Sequence, residues 1–160
     1  MRRSRVVLLL LLLAGCGQAT TTRVPTIAHT PPAREPLHCS DLARASARAH
    51  VELFLRGDIV VIPAGIGIRD GRRDGAYVRG GCRAALWTEE PTGLVQMARP
   101  ARLGELFATW RRPLPRAQAW LDGRRWQGPL AQLPLEDGAQ VVVQEGRPLA
   151  PVHAAYTFPP

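Results

Sequence analysis

Residues 49–55 alternate. Ala49, Val51, Leu53 and Leu55 fall on one side of an extended chain, and His50, Glu52, Phe54 and Arg56 on the other. A period of two is the repeat of a strand with one side in a core and the other in more polar surroundings. Arg56-Gly57-Asp58 supplies a tight turn and Ile59-Val60-Val61-Ile62 returns, so the sequence predicts a β-hairpin. Arg-Gly-Asp is also an integrin-binding tripeptide, but between two apolar runs it reads as turn chemistry. Residues 116–121, Asp122-Gly123 and residues 124–126 spell a second hairpin with an Asp-Gly turn. Residues 84–88 and 93–98 predict two short strands around Glu89-Glu90-Pro91-Thr92, and residues 140–144 predict a closing one.

One segment departs from this pattern. Leu103, Leu106, Phe107 and Trp110 are spaced i, i+3, i+4, i+7, the core-facing stripe of an amphipathic helix that Pro113 ends. Residues 41–49, rich in alanine and arginine, are expected to open as helix before the alternation begins. Residues 69–81 are rich in glycine and arginine. They lack the helix start that a phosphate cradle needs, so they read as a flexible surface loop. Five to seven short strands and one helix predict an α+β, mostly β domain of short antiparallel hairpins. A β-grasp-like sheet is the expected architecture, with a small β-sandwich as the alternative.

At 160 residues the chain holds one domain. Residues 1–15 carry three arginines and a nine-residue apolar run, Val6 to Ala14, and read as an export signal. That run is too short to span a bilayer, which takes about 20 residues. Leu13-Ala14-Gly15-Cys16 resembles a bacterial lipobox, so Cys16 is the expected lipid-attachment residue, with an ordinary secretory signal as the alternative. Gly17, in place of an aspartate, favours the outer membrane if the cell is Gram-negative. Residues 16–37, with Thr20-Thr21-Thr22 and Pro25, Pro31, Pro32 and Pro36, read as a flexible tether, and residues 38–160 as the folded domain.

Every basic residue is arginine, and there is no lysine and no asparagine. This excludes a P-loop lysine, a Schiff-base lysine and N-glycosylation. The net charge is +8, and +5 once the three leader arginines are removed. In an exported protein this points to a solvated basic surface or to weak attraction for anionic headgroups, and nucleic acid is not an expected partner. Cys39 and Cys82 form an even pair in an oxidising compartment, and a disulfide is the expectation. It would close a loop of about 44 residues, worth about 3–4 kcal/mol in the loop-entropy model. A redox or metal thiol pair is the alternative, without a Cys-x-x-Cys motif to support it.

The inventory for catalysis is thin. Ser40 and Ser46 are the only serines beyond the leader, and neither lies in Gly-x-Ser-x-Gly. Glu89 and Glu90 are adjacent, and neighbours on a strand point to opposite faces. His29, His38, His50 and His153 each stand alone in the sequence.

Residues 50–57 followed by Ile62-Pro63-Ala64-Gly65-Ile66-Gly67-Ile68 resemble a family of uncharacterised exported bacterial and archaeal proteins. Its members read roughly His-x-His-x-His-Leu, strand, Asn-Gly turn, Val-Pro-Ala-Gly-Ile-Gly-Ile. Cys82 stands where that family has a cysteine ahead of Leu-His-Thr-His-Asp. Residues 103–110 are similar to its Leu-Gly-x-Phe-Phe-x-x-Trp helix, and Tyr156-Thr157-Phe158-Pro159-Pro160 to its Phe-Pro-Pro tail. The resemblance runs from about Cys39 to Pro160 and implies the same fold and the disulfide. The family's histidines suggest a metal site. Here Ser46 and Arg48 replace the first two of the triplet, Leu86-Trp87-Thr88-Glu89-Glu90 replaces Leu-His-Thr-His-Asp, and Gln96 replaces a later histidine. His50 with Glu89 is a poor donor set for copper or zinc, so these two are weak metal candidates, and no cofactor is expected.

The expected function is that of a lipid-anchored cell-envelope protein whose domain binds an envelope partner or serves structurally, without catalysis. The alternative is a copper- or zinc-binding lipoprotein with a degenerate site near His50, Glu89 and Gln96.

Overall fold

The computed structural model describes residues 39–40, 43–146 and 156–158. The leader, Cys16, the tether, His29, His38, His153, Pro159 and Pro160 lie outside the described residues. In chain order the elements are β1 (Ala47–Leu55), β2 (Asp58–Ile59), β3 (Ile68–Arg69), β4 (Arg72–Asp74), β5 (Tyr77–Arg79), β6 (Cys82–Arg83), β7 (Leu86–Trp87), β8 (Leu94–Met97) and β9 (Ala101–Arg102). Helix α1 (Leu103–Trp110) follows, then β10 (Gln118–Leu121), β11 (Arg124–Arg125), a 3-10 turn (Leu130–Gln132), β12 (Pro134–Leu135) and β13 (Gln140–Glu145). The domain is therefore α+β and mostly β, with more and shorter strands than the sequence pattern predicts.

The main sheet has the order β11-β10-β13-β1-β8-β7, with β2 also on β1. The alternating segment is its central strand. β13 runs parallel to β1 along one edge, from His50↔Gln140 to Leu55↔Glu145. The other edge is divided. β8 pairs antiparallel with residues 47–50, and β2 with Phe54 and Leu55. Between them the Val51 amide donates to the Gly93 carbonyl at 2.9 Å. This sharing explains why the first hairpin is shorter than expected. Arg56 and Gly57 turn with positive φ, as a tight hairpin requires. After Val60 donates to Leu53, the chain leaves and Val61 is exposed.

Residues 43–49 do not open as helix. The Ser46 amide donates to Met97 and β1 starts at Ala47, so pairing with β8 overrides alanine's helix propensity. Nor is the 69–81 segment an open loop. β3 pairs with β6, and β4 with β5. Val78 is buried, and its amide donates to the Glu89 carbonyl, which ties the arm to the body. Cys39 and Cys82 are joined at its base, S–S 2.06 Å, and Ser40 bridges Arg83.

The apolar sides of the central strands form the core. Ala49, Val51 and Leu53 of β1 lie with Val95, Met97, Val141 and Val143 against Leu103, Leu106 and Phe107 of α1 and against Leu133 and Leu135. The predicted helical stripe is thus the buried one. Glu105 accepts the Arg102 amide at 3.1 Å at the N-terminus and pairs with Arg99 at 2.7 Å, holding that guanidinium's pKa above its ordinary value. The helix ends at Arg111, ahead of Pro113. Arg111 takes a left-handed conformation (φ 59°), and Arg111 and Arg112 return hydrogen bonds to Ala108 and Phe107.

The 63–68 segment is pinned around Thr88. The fully buried Thr88 hydroxyl donates to the Pro63 carbonyl and accepts from the Ile66 amide. The Gly65 amide donates to the Thr88 carbonyl, and the Thr88 amide to the Ile66 carbonyl. A side chain at Gly67 would place its Cβ 2.1 Å from the Leu86 carbonyl oxygen, which is why glycine stands there. Among the described residues, no helix is long and apolar enough to cross a membrane.

Candidate functional site

The sheet face turned away from α1 carries the polar side chains. Directly paired residues share a face, so the pairings His50↔Leu94, Arg48↔Gln96, His50↔Gln140 and Phe54↔Gln144 place His50, Arg48, Gln96, Gln140, Phe54 and Gln144 together. Glu52 joins them by alternation along β1. His50 and Gln144 are nonetheless buried, at 5% and 4% exposure.

His50 is held by two contacts. Its Nε2 lies 2.8 Å from the Thr92 carbonyl oxygen, so this nitrogen carries a proton and donates. Its ring stacks on Tyr156 with centroids 4.0 Å apart and planes 8° from parallel. Its Nδ1 has no hydrogen-bond partner, and the nearest carboxylate oxygen, on Glu52, is 3.9 Å away. That separation is too long for a hydrogen bond. His50 and Glu52 also line a cleft of about 260 Å³ with Phe54, Ile59, Val61 and Pro91. Ile59 and Val61 are among the most exposed large apolar side chains of the domain.

The stacked ring comes from the C-terminal segment, which is fastened a second time. The Gln140 side-chain amide donates to the Tyr156 carbonyl and accepts from the Tyr156 amide, both at 3.1 Å. Phe158 meets Tyr156 edge to face at 5.2 Å. Sequence reading singled out His50 but missed Gln140 and Tyr156 as its neighbours. The tail stood out only by similarity to the family's ending, and nothing local ties a glutamine on the last strand to it.

The other candidates fall elsewhere. Gln96 shares the His50 face, diagonal to it across β1 and β8. Glu89 does not turn to the imidazole. Its carboxylate accepts from Arg83 and from Trp87 Nε1, both at 3.2 Å. The acid within 4 Å of His50 is Glu52, on the same strand. Among the described residues, no group of three or more His, Cys, Asp or Glu side chains is arranged to hold a metal ion. Ser46 donates to the carbonyls of Ala98 and Met97. It serves as a strand tie.

Comparison with protein-family models, with curated proteins and with solved structures returns no match to this chain.

Proposed function

We propose that this is a lipid-anchored protein of the bacterial cell envelope, held through Cys16, whose domain is a non-catalytic binding module. In this reading residues 1–15 are the export signal, residues 16–37 the tether, and, if the cell is Gram-negative, the outer membrane, facing the periplasm, the location. The observation that carries the binding role is the His50 face. Its imidazole, fixed by Nε2 on the Thr92 carbonyl, offers its ring face to Tyr156, whose backbone the Gln140 side chain holds. A β-grasp-like architecture is the finer fold reading. Among the described residues, the parallel pairing of the first and last strands and the one α-helix across one face support it. The lipobox-bearing, histidine-depleted relationship to the exported family described above completes the proposal.

Metabolic labelling with a tagged fatty acid tests the anchor. Label is expected on the wild-type chain and lost in Cys16→Ser; label retained in that variant refutes the anchor. Crosslinking in intact envelopes, followed by identification of the captured species, tests the binding role. A specific partner is expected, and a chain that crosslinks to nothing refutes it.

The unpartnered Nδ1 of His50 favours one second reading, a copper or zinc site. His50 and Glu52 would supply two donors, which is short of the three or four such ions take. Elemental analysis of the chain purified without chelator decides. Stoichiometric metal lost in His50→Ala supports this reading, and no metal refutes it.

A further inference from the structure

The contacts that hold residues 156–158 do not depend on those residues belonging to this chain. Gln140 meets Tyr156 through the backbone alone, one N–H and one C=O on each side. A carboxamide has the same donor and acceptor as a peptide unit. Gln140 therefore reproduces what a neighbouring strand offers when two residues exchange both hydrogen bonds. Specificity beyond the backbone comes from the Tyr156 ring, which lies flat on the buried imidazole of His50 and is braced within its own segment by Phe158, edge to face. Rings at i and i+2 on one side are the signature of an extended segment. Backbone capture together with pockets for alternate side chains is a general mode of peptide recognition.

We infer that the Gln140–His50 face is a binding site for an extended aromatic-x-aromatic segment of a partner protein, and that this chain's own Tyr156-Thr157-Phe158 is its resident occupant. The inference rests on the binding-module reading above and names its site and the chemistry of its partner. Residue 156 follows Gln140 by 16 positions, so the resident segment competes from a high local concentration, in the millimolar range for short linkers. A partner must supply more than a bare segment, such as a second contact or its own attachment to the membrane, to displace it. Access to the face is thereby restricted to partners that engage more than this one site.

The test uses the full chain and a fluorophore-labelled peptide, Tyr-Thr-Phe-Pro-Pro, read by fluorescence anisotropy. The Tyr156→Ala/Phe158→Ala variant keeps the whole domain and removes both resident rings. It is expected to bind the peptide saturably and at least about tenfold more tightly than wild type, from the loss of local competition. Adding Gln140→Glu, which keeps the acceptor and size but removes the donor, is expected to weaken binding at least about tenfold, with circular dichroism unchanged. A control peptide, Ala-Thr-Ala-Pro-Pro, should not bind. Failure of the open variant to bind the peptide overturns the inference. So does equal binding to wild type and open variant, or indifference to Gln140→Glu. The envelope crosslink does not depend on this peptide. If a partner is captured while the peptide fails, the binding-module reading stands and this site falls; if both fail, both fall.

Discussion

The two faces of the central sheet are held by different means. Against α1, Ala49, Val51, Leu53, Val141 and Val143 interlock with Leu103, Leu106 and Phe107, and these residues are at most 2% exposed. The opposite face carries His50, Glu52, Gln96, Gln140 and Gln144, and the tail is held to it by one amide pair and one ring stack. The first face is non-directional and sums many small gains from apolar area removed from water. The second is directional and rests on a few groups, one of which, His50 Nδ1, has no partner. One face sets the stability of the domain, and the other leaves a geometry that a competing segment can copy.

Substitutions sharpen that contrast. The largest effect should come from Leu106→Ala, which empties a fully buried position under α1. We expect about 2–5 kcal/mol of lost stability in denaturant unfolding. A loss below about 1 kcal/mol would place the core elsewhere. Thr88→Val comes next. It keeps the shape but leaves the Pro63 carbonyl and the Ile66 amide without the hydroxyl that joins them. The expected cost is about 1–3 kcal/mol, with faster amide exchange confined to residues 63–68. Tyr156→Ala should cost about 1 kcal/mol or less, because a single ring pair with one half-buried member contributes little to global stability. It should still shift the His50 ring resonances strongly. An unfolding midpoint that falls as far as in Leu106→Ala would erase the difference between the faces. Arg99→Ala should leave the midpoint unchanged. Its ion pair with Glu105 is exposed, and such surface pairs contribute little to stability.

Much of the local structure was legible. The 49–55 alternation became β1, the i, i+3, i+4, i+7 stripe became α1, and Asp122-Gly123 became a hairpin turn with positive φ at both residues. The 69–81 segment was not legible, because its order comes from short pairings of β3 with β6 and β4 with β5 and from the burial of Val78 beside Gly65, none of which follows a local repeat. The candidate site was half legible. His50 stood out as a polar group on a strand, but the expected partner Glu89 turned to Arg83 and Trp87.

The sequence by itself determined the central strand, the helix and the side of each that faces inward, and that two cysteines were available to pair. Periodicity and turn chemistry are local and can be read along the chain. Only the tertiary structure decided that β1 and β13, about ninety residues apart, lie side by side, and that the tail's Tyr156 meets His50. The strands follow a repeat, so their inner faces could be assigned in advance. Parallel pairing of distant strands and the docking of a tail follow no repeat. They are set by which surfaces fit once the core has closed, and that information is spread over the whole chain.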